Sequence, residues 1–204
     1  MRIGIDFDNT IVSYDALFFK VAVEQDVVPS DIPVNKLAIR DFLRRAGKED
    51  IWTEMQGYVY GARMEEAEAF AGLFDVLRLL RSQRHTLYIV SHKTRYPFIG
   101  PKYDLHAAAR AWLAGNLQMP GSSLIEDGNI FFELTKAEKI SRVTALECDL
   151  FIDDLPEILL ADDFPPATQR LLFDPEACHS GGLPDAVDSI RSWDELPAWL
   201  ERHQ

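Results

Sequence analysis

Two apolar segments of this chain each run into aspartates, and that repetition constrains the fold more than any other feature. Residues 2–7 read Arg-Ile-Gly-Ile-Asp-Phe, followed directly by Asp8, Asn9 and Thr10. Residues 150–152, Leu-Phe-Ile, lead into Asp153 and Asp154. Short apolar runs rich in β-formers predict strands buried on both faces, the pattern of a parallel sheet. A carboxylate ending such a strand loses hydration, and two held together repel. A cation between them, or unequal protonation, resolves the conflict. For Asp6 and Asp8 the competing explanation is an ordinary turn with a helix cap at Asp8-Asn9-Thr10. Asp154 also suits a helix N-cap, with Pro156 and Glu157 in the first turn, but that leaves Asp153 unexplained. Two strands of one parallel sheet ending in acids bring several carboxylates to one edge. Hard oxygen donors in that number suit Mg²⁺.

Further strands are predicted at 86–90 (Thr-Leu-Tyr-Ile-Val) and 170–173, with another at 129–132 after the Asp127-Gly128 turn signal. Helical apolar spacing falls between them at 74–83, 103–117 and 136–147. The segments at 185–190 and 194–202 read as closing helices. Strand–helix alternation predicts an α/β fold, a three-layer Rossmann-like core with a mainly parallel sheet and helices on both faces. Residues 14–71 break the alternation, with helical patterns at 15–26, 34–46 and 48–60. A parallel crossover needs only one helix, so this stretch is expected to be a small helical subdomain inserted after the first strand. Residues 1–13 and 72–204 then form the core.

The 33 acids against 21 bases give a net charge of -12, which opposes general binding to nucleic acid or anionic membranes. It leaves open a small phosphorylated ligand, because a metal and a few bases override the overall field locally. No apolar run approaches the roughly 18 residues needed to span a bilayer, and residues 1–12 do not resemble a secretory signal. Cys148 and Cys178 lack metal-type spacing. These features lead to the expectation of a cytoplasmic protein, monomeric or homodimeric, acting on a small phosphorylated metabolite.

Two more features are expected at the same sheet edge. Ser91 ends the strand at 86–90; its hydroxyl suits a phosphate oxygen, or simply a strand-end turn. Thr135 and Glu138 fit a capping box, placing Lys136 in the first turn of a helix. A lysine there opposes the helix dipole by about 0.3–1 kcal/mol. A bound anion or plain solvation would account for it, and Lys139 takes its place if the helix begins later. In the basic loop after Ser91, His92 suits either a phosphate contact or solvent.

Taken together these residues resemble the haloacid dehalogenase superfamily, mostly metal-dependent phosphatases. Its four motifs match, in order, Asp6-Phe7-Asp8-Asn9-Thr10, Ser91, Lys136 and Asp153-Asp154. The resemblance covers nearly the whole chain and implies that the helical insertion, 14–71, is a C1 cap. It implies Asp6 as nucleophile and Asp8 as general acid and base in hydrolysis through an aspartyl-phosphate intermediate. Mg²⁺ would be held by Asp6, the Asp8 backbone carbonyl, Asp153 and Asp154. Thr10, Ser91, His92 and Lys136 would bind the substrate phosphate. Members that displace halide lack an acid at the position of Asp8, so phosphoryl transfer is expected. A phosphomutase, or a non-catalytic phosphate-sensing module on the same fold, is the alternative.

Overall fold

The structure, a computed structural model, describes residues 1–119, 121–179 and 182–203. Six strands form its main sheet: Arg2–Ile5 (β1), Thr86–His92 (β2), Ile130–Glu133 (β3), Leu150–Asp153 (β4), Gln169–Phe173 (β5) and Val187–Ile190 (β6). Their order is β6-β5-β4-β1-β2-β3, and every neighbouring pair is parallel. Eight helices accompany them among the described residues: Asp15–Glu24 (α1), Lys36–Arg45 (α2), Glu49–Tyr60 (α3), Leu73–Ser82 (α4), Leu105–Asn116 (α5), Lys136–Ala145 (α6), Pro156–Leu159 (α7) and Leu196–Arg202 (α8).

β1 and β4 lie side by side in mid-sheet with Ile3 opposite Leu150 and Ile5 opposite Ile152. From β1 the chain builds outward through β2 to β3; from β4 it builds the other way to β6. The strand order therefore reverses between β1 and β4, the place where open α/β sheets leave a crevice beyond their carboxyl ends. Both faces of the sheet are apolar, as a parallel sheet requires. On one face Val90, Phe151 and Leu172 pack with Ile140 and Val143 of α6 and with Ile158 and Leu159 of α7. On the other, Phe173 meets Phe70 at 4.8 Å and Trp193 at 5.6 Å between ring centroids. Each large side chain fully buried there contributes about 1.5–3 kcal/mol.

One expected helix is a strand. Val187-Asp188-Ser189-Ile190 has apolar ends three residues apart, which matches a helical turn as well as an edge strand. Here it pairs in register with β5, Val187 opposite Arg170 and Ile190 opposite Phe173. A segment this short carries too little local preference to nucleate a helix against that pairing.

The chain divides into two compact units, residues 1–12, 69–92 and 117–204 in one and 13–68 with 93–116 in the other. The first holds the sheet. The second holds α1, α2, α3 and α5, so it takes in 93–116 as well as the inserted stretch. Packing within it explains why. Trp112 on α5 donates its indole N–H to the Ala67 carbonyl at 2.8 Å. Pro97 and Tyr103 lie so close to Gly57 and Gly61 of α3's last turn that a Cβ would meet them at 2.6 and 2.4 Å. Tyr14, Phe18, Trp52 and Tyr60 form its aromatic centre, with Lys36 Nζ 5.4 Å and Lys93 Nζ 5.0 Å from the Tyr60 ring.

Candidate active site

The strand ends deliver the predicted acids. β1 stops at Ile5, and the Asp6 N–H still donates to the Ile152 carbonyl at 2.9 Å, tying Asp6 alongside the end of β4. The chain then turns tightly. Ile11 and Val12 both donate to the Phe7 carbonyl, and Asn9 donates to Val12 from a left-handed backbone at φ 60°. Asn is among the few side-chain-bearing residues that adopt this conformation readily. The turn is held from below by Trp193, which is fully buried and whose indole N–H reaches the Thr10 carbonyl at 3.1 Å. Phe7 is pinned by an edge-on contact with Phe132 at 5.7 Å.

The turn brings carboxylate oxygens of Asp6, Asp153 and Asp154 within 4.8 Å of one another. Asp6 and Asp153 are buried; Asp154 is partly exposed. Asp153 Oδ1 accepts the Leu155 N–H at 3.0 Å. Asp154 accepts from the Asn9 side-chain amide at 3.3 Å instead of capping a helix. The N-cap of α7 is Leu155, which makes no side-chain cap bond. The carboxylate of Asp8 is not one of these three. Three hard oxygen donors from two adjacent strand ends match the coordination habit of Mg²⁺.

The lysine that lies between these carboxylates is Lys139, the alternative to Lys136. Thr135 caps α6, accepting the Glu138 N–H, so the helix does begin at Lys136. But the first residue of α6 points outward, and Lys136 Nζ pairs with Glu157 at the surface. One turn later the helix presents its inner face, Lys139, Ile140 and Val143. Lys139 Nζ lies 2.6 Å from Asp6 Oδ1 and 2.6 Å from Asp153 Oδ2, with its side chain only 2% exposed. Burial alone would lower the lysine's proton affinity, yet the flanking carboxylates of Asp153 and Asp6 outweigh it and hold the ammonium charged.

Asp6 is strongly perturbed by its surroundings. Burial drives its pKa upward, Lys139 opposes this, and Asp153 and Asp8 push it higher, to about 6. Its folded pKa thus exceeds the ordinary 3.8. Asp6 therefore contributes stability below about pH 4 and loses it as pH rises through about 6 in metal-free protein. A divalent ion would reverse that loss by compensating the charge. Mg²⁺ should raise the melting temperature at about pH 7.5 and do so much less at about pH 5, where a proton competes for Asp6. Thermal melts with and without Mg²⁺ at both pH values check this.

Two hydroxyls complete the edge. Thr10 and Ser91 are 0% and 1% exposed, and neither Oγ has a hydrogen-bond partner among the described residues. A buried, unpartnered hydroxyl costs about 1–3 kcal/mol, and a ligand oxygen would relieve it. Ser91 lies in β2, which pairs directly with β1. His92, the next residue, belongs to the opposite strand face by pleat alternation. Its Nε2 is engaged with the Leu134 carbonyl at 3.1 Å. Sequence reasoning did not assign Asn9 or Trp193 to the site. The tolerance of asparagine for left-handed backbone was the available signal for the first; nothing local marks the second.

The insertion's basic residues are largely engaged with acids of their own unit. Arg40 pairs with Asp41, Arg44 with Glu49, and Arg63 with Glu24 and Glu66.

No family model and no curated protein matches the chain. Solved structures do. It is similar to the HAD-hydrolase YfnB from Bacillus subtilis bound to magnesium, at 20% identity over 98% of this chain and 97% of that one, TM-score 0.57. It is also similar to a HAD family hydrolase from Deinococcus radiodurans with bound phosphate and sodium, at 15% identity over 98% and 95%, TM-score 0.58. A third is a predicted phosphoglycolate phosphatase from Haemophilus somnus, at 14% identity over 100% and 97%, TM-score 0.56. The chain has the α/β fold of the HAD-superfamily hydrolases. At these identities the likeness speaks for the fold alone. No helix among the described residues is long and apolar enough to cross a membrane.

Proposed function

We propose that this protein is a Mg²⁺-dependent phosphatase that hydrolyses a small phosphorylated metabolite through a phosphoryl group carried on Asp6. The observation that carries the proposal is the convergence of the three carboxylates with buried Lys139 beside the unpartnered hydroxyls of Thr10 and Ser91. The magnesium of one structural neighbour and the phosphate of another support the same reading.

In this reading the Asp6 carboxylate attacks phosphorus and the bond to the leaving oxygen breaks, with Asp8 giving that oxygen its proton. Asp8 then takes a proton from the water that attacks phosphorus, and Asp6 is released with inorganic phosphate. This divides one hard displacement into two. Lys139 keeps Asp6 ionised near neutral pH despite its burial and faces the charge that develops on the phosphoryl oxygens. Mg²⁺, held by Asp6, Asp153, Asp154 and the Asp8 carbonyl, would supply further neutralisation of the transferring group. Thr10 and Ser91 donate to phosphoryl oxygens.

The test is hydrolysis of an aryl phosphate. The purified protein releases phosphate with Mg²⁺ and stops with EDTA; metal-independent hydrolysis, or none across a panel of phosphorylated metabolites, contradicts the proposal. A second expectation separates ligand binding from structure. Ser91→Ala should lower kcat/KM by about 10²–10³-fold while leaving the melting temperature unchanged or slightly raised, because the hydroxyl has no partner among the described residues to lose. A clear fall in melting temperature would mean that Ser91 serves the fold.

A further inference from the structure

Resting on the metal site proposed above, we infer that Asn9 is a positioning residue that orients Asp154 for the divalent ion. Two features of Asn9 work together. Its backbone is left-handed, at φ 60°, which is how the chain turns back after Asp8 and lets the Asn9 N–H donate to Val12 at 2.9 Å. From that backbone the side-chain amide spans to the other strand end, where Nδ2 donates to Asp154 Oδ2 at 3.3 Å.

Of the three carboxylates Asp154 is the only one not buried, and it is not the N-cap of α7. Asp6 is held by Lys139 and Asp153 by Lys139 and the Leu155 N–H, whereas Asp154 starts a loop. A carboxylate at that position is repelled by two like charges. The amide's donor to Oδ2 opposes that repulsion. Partners of this kind, which hold a ligand without touching the metal, typically change metal affinity by about 10–100-fold when removed.

The backbone and side-chain roles separate cleanly. Glycine adopts the left-handed turn without strain, so Asn9→Gly keeps the turn and deletes only the amide. Mg²⁺ binding is measured by titration calorimetry on the intact chain for wild type, Asn9→Gly, Asp154→Ala and the double variant, with metal-free melting curves alongside. Asn9→Gly is expected to weaken Mg²⁺ binding about tenfold with a metal-free melting curve close to wild type. In the Asp154→Ala background the same change should cost nothing further, because the two act as one unit. Equal affinity for wild type and Asn9→Gly would overturn the inference while the metal site stands. So would a tenfold loss that persists without Asp154, since Asn9 would then act by another route. If wild type itself binds no Mg²⁺, the metal site fails and this inference with it.

Discussion

Asp6→Asn is expected to reduce phosphatase turnover by a factor on the order of 10⁴ or more, the loss seen when a member of a catalytic unit is removed. The amide cannot attack phosphorus, and nothing else at this edge combines a free lone pair with the same position. The fold should tolerate the change. The new side-chain oxygen can still accept from Lys139, which lies 2.6 Å from Asp6 Oδ1. Burial already raises the Asp6 pKa to about 6, so a neutral group relieves a strained charge. The metal-free melting temperature should therefore stay level or rise, with activity lost. Turnover within tenfold of wild type would show that the nucleophile lies elsewhere.

Lys139→Ala should give the largest loss of stability. The ammonium is shared between two carboxylates that are 5% and 0% exposed, and removing it leaves both buried and facing each other. Breaking a buried pair from one side costs about 3–5 kcal/mol, or roughly 10 °C in a chain of this size. On the proposed function the same variant also loses the charge meant to face the phosphoryl group, so turnover is expected to fall as well. Protonating Asp6, whose pKa burial already raises to about 6, relieves part of the penalty, so the deficit should shrink between about pH 7.5 and about pH 5. Added Mg²⁺ should restore part of it by binding the folded state. Lys136→Ala is the matched control: its surface pair with Glu157 is worth at most about 1 kcal/mol, and neither stability nor turnover should move appreciably.

That contrast shows how far the sequence reaches. The acids at 6 and 153 were legible because a charged group ending a buried strand has few bland explanations. The parallel sheet was legible because its strands are nearly all apolar. The lysine was not, because capping chemistry at Thr135 identifies where α6 starts and says nothing about which face turns inward. Only the packing of Ile140 and Val143 selects Lys139. Val187–Ile190 eluded the pattern because its pairing with β5 is a tertiary fact. The grouping of 93–116 with the helices likewise rests on close approaches at Gly57 and Gly61 that no local pattern encodes. Asn9 carried a turn signal, but its reach to Asp154 depends on a residue 145 positions away.

The proposed function requires Asp6 to carry the phosphoryl group. The most direct measurement is a rapid acid quench during turnover of an aryl phosphate with Mg²⁺, followed by peptide mass analysis. A phosphoryl adduct on the peptide bearing Asp6, appearing before free phosphate reaches its steady rate and absent in Asp6→Asn, is the predicted result. Phosphate release with no adduct at any quench time, or an adduct on a different residue, would contradict it.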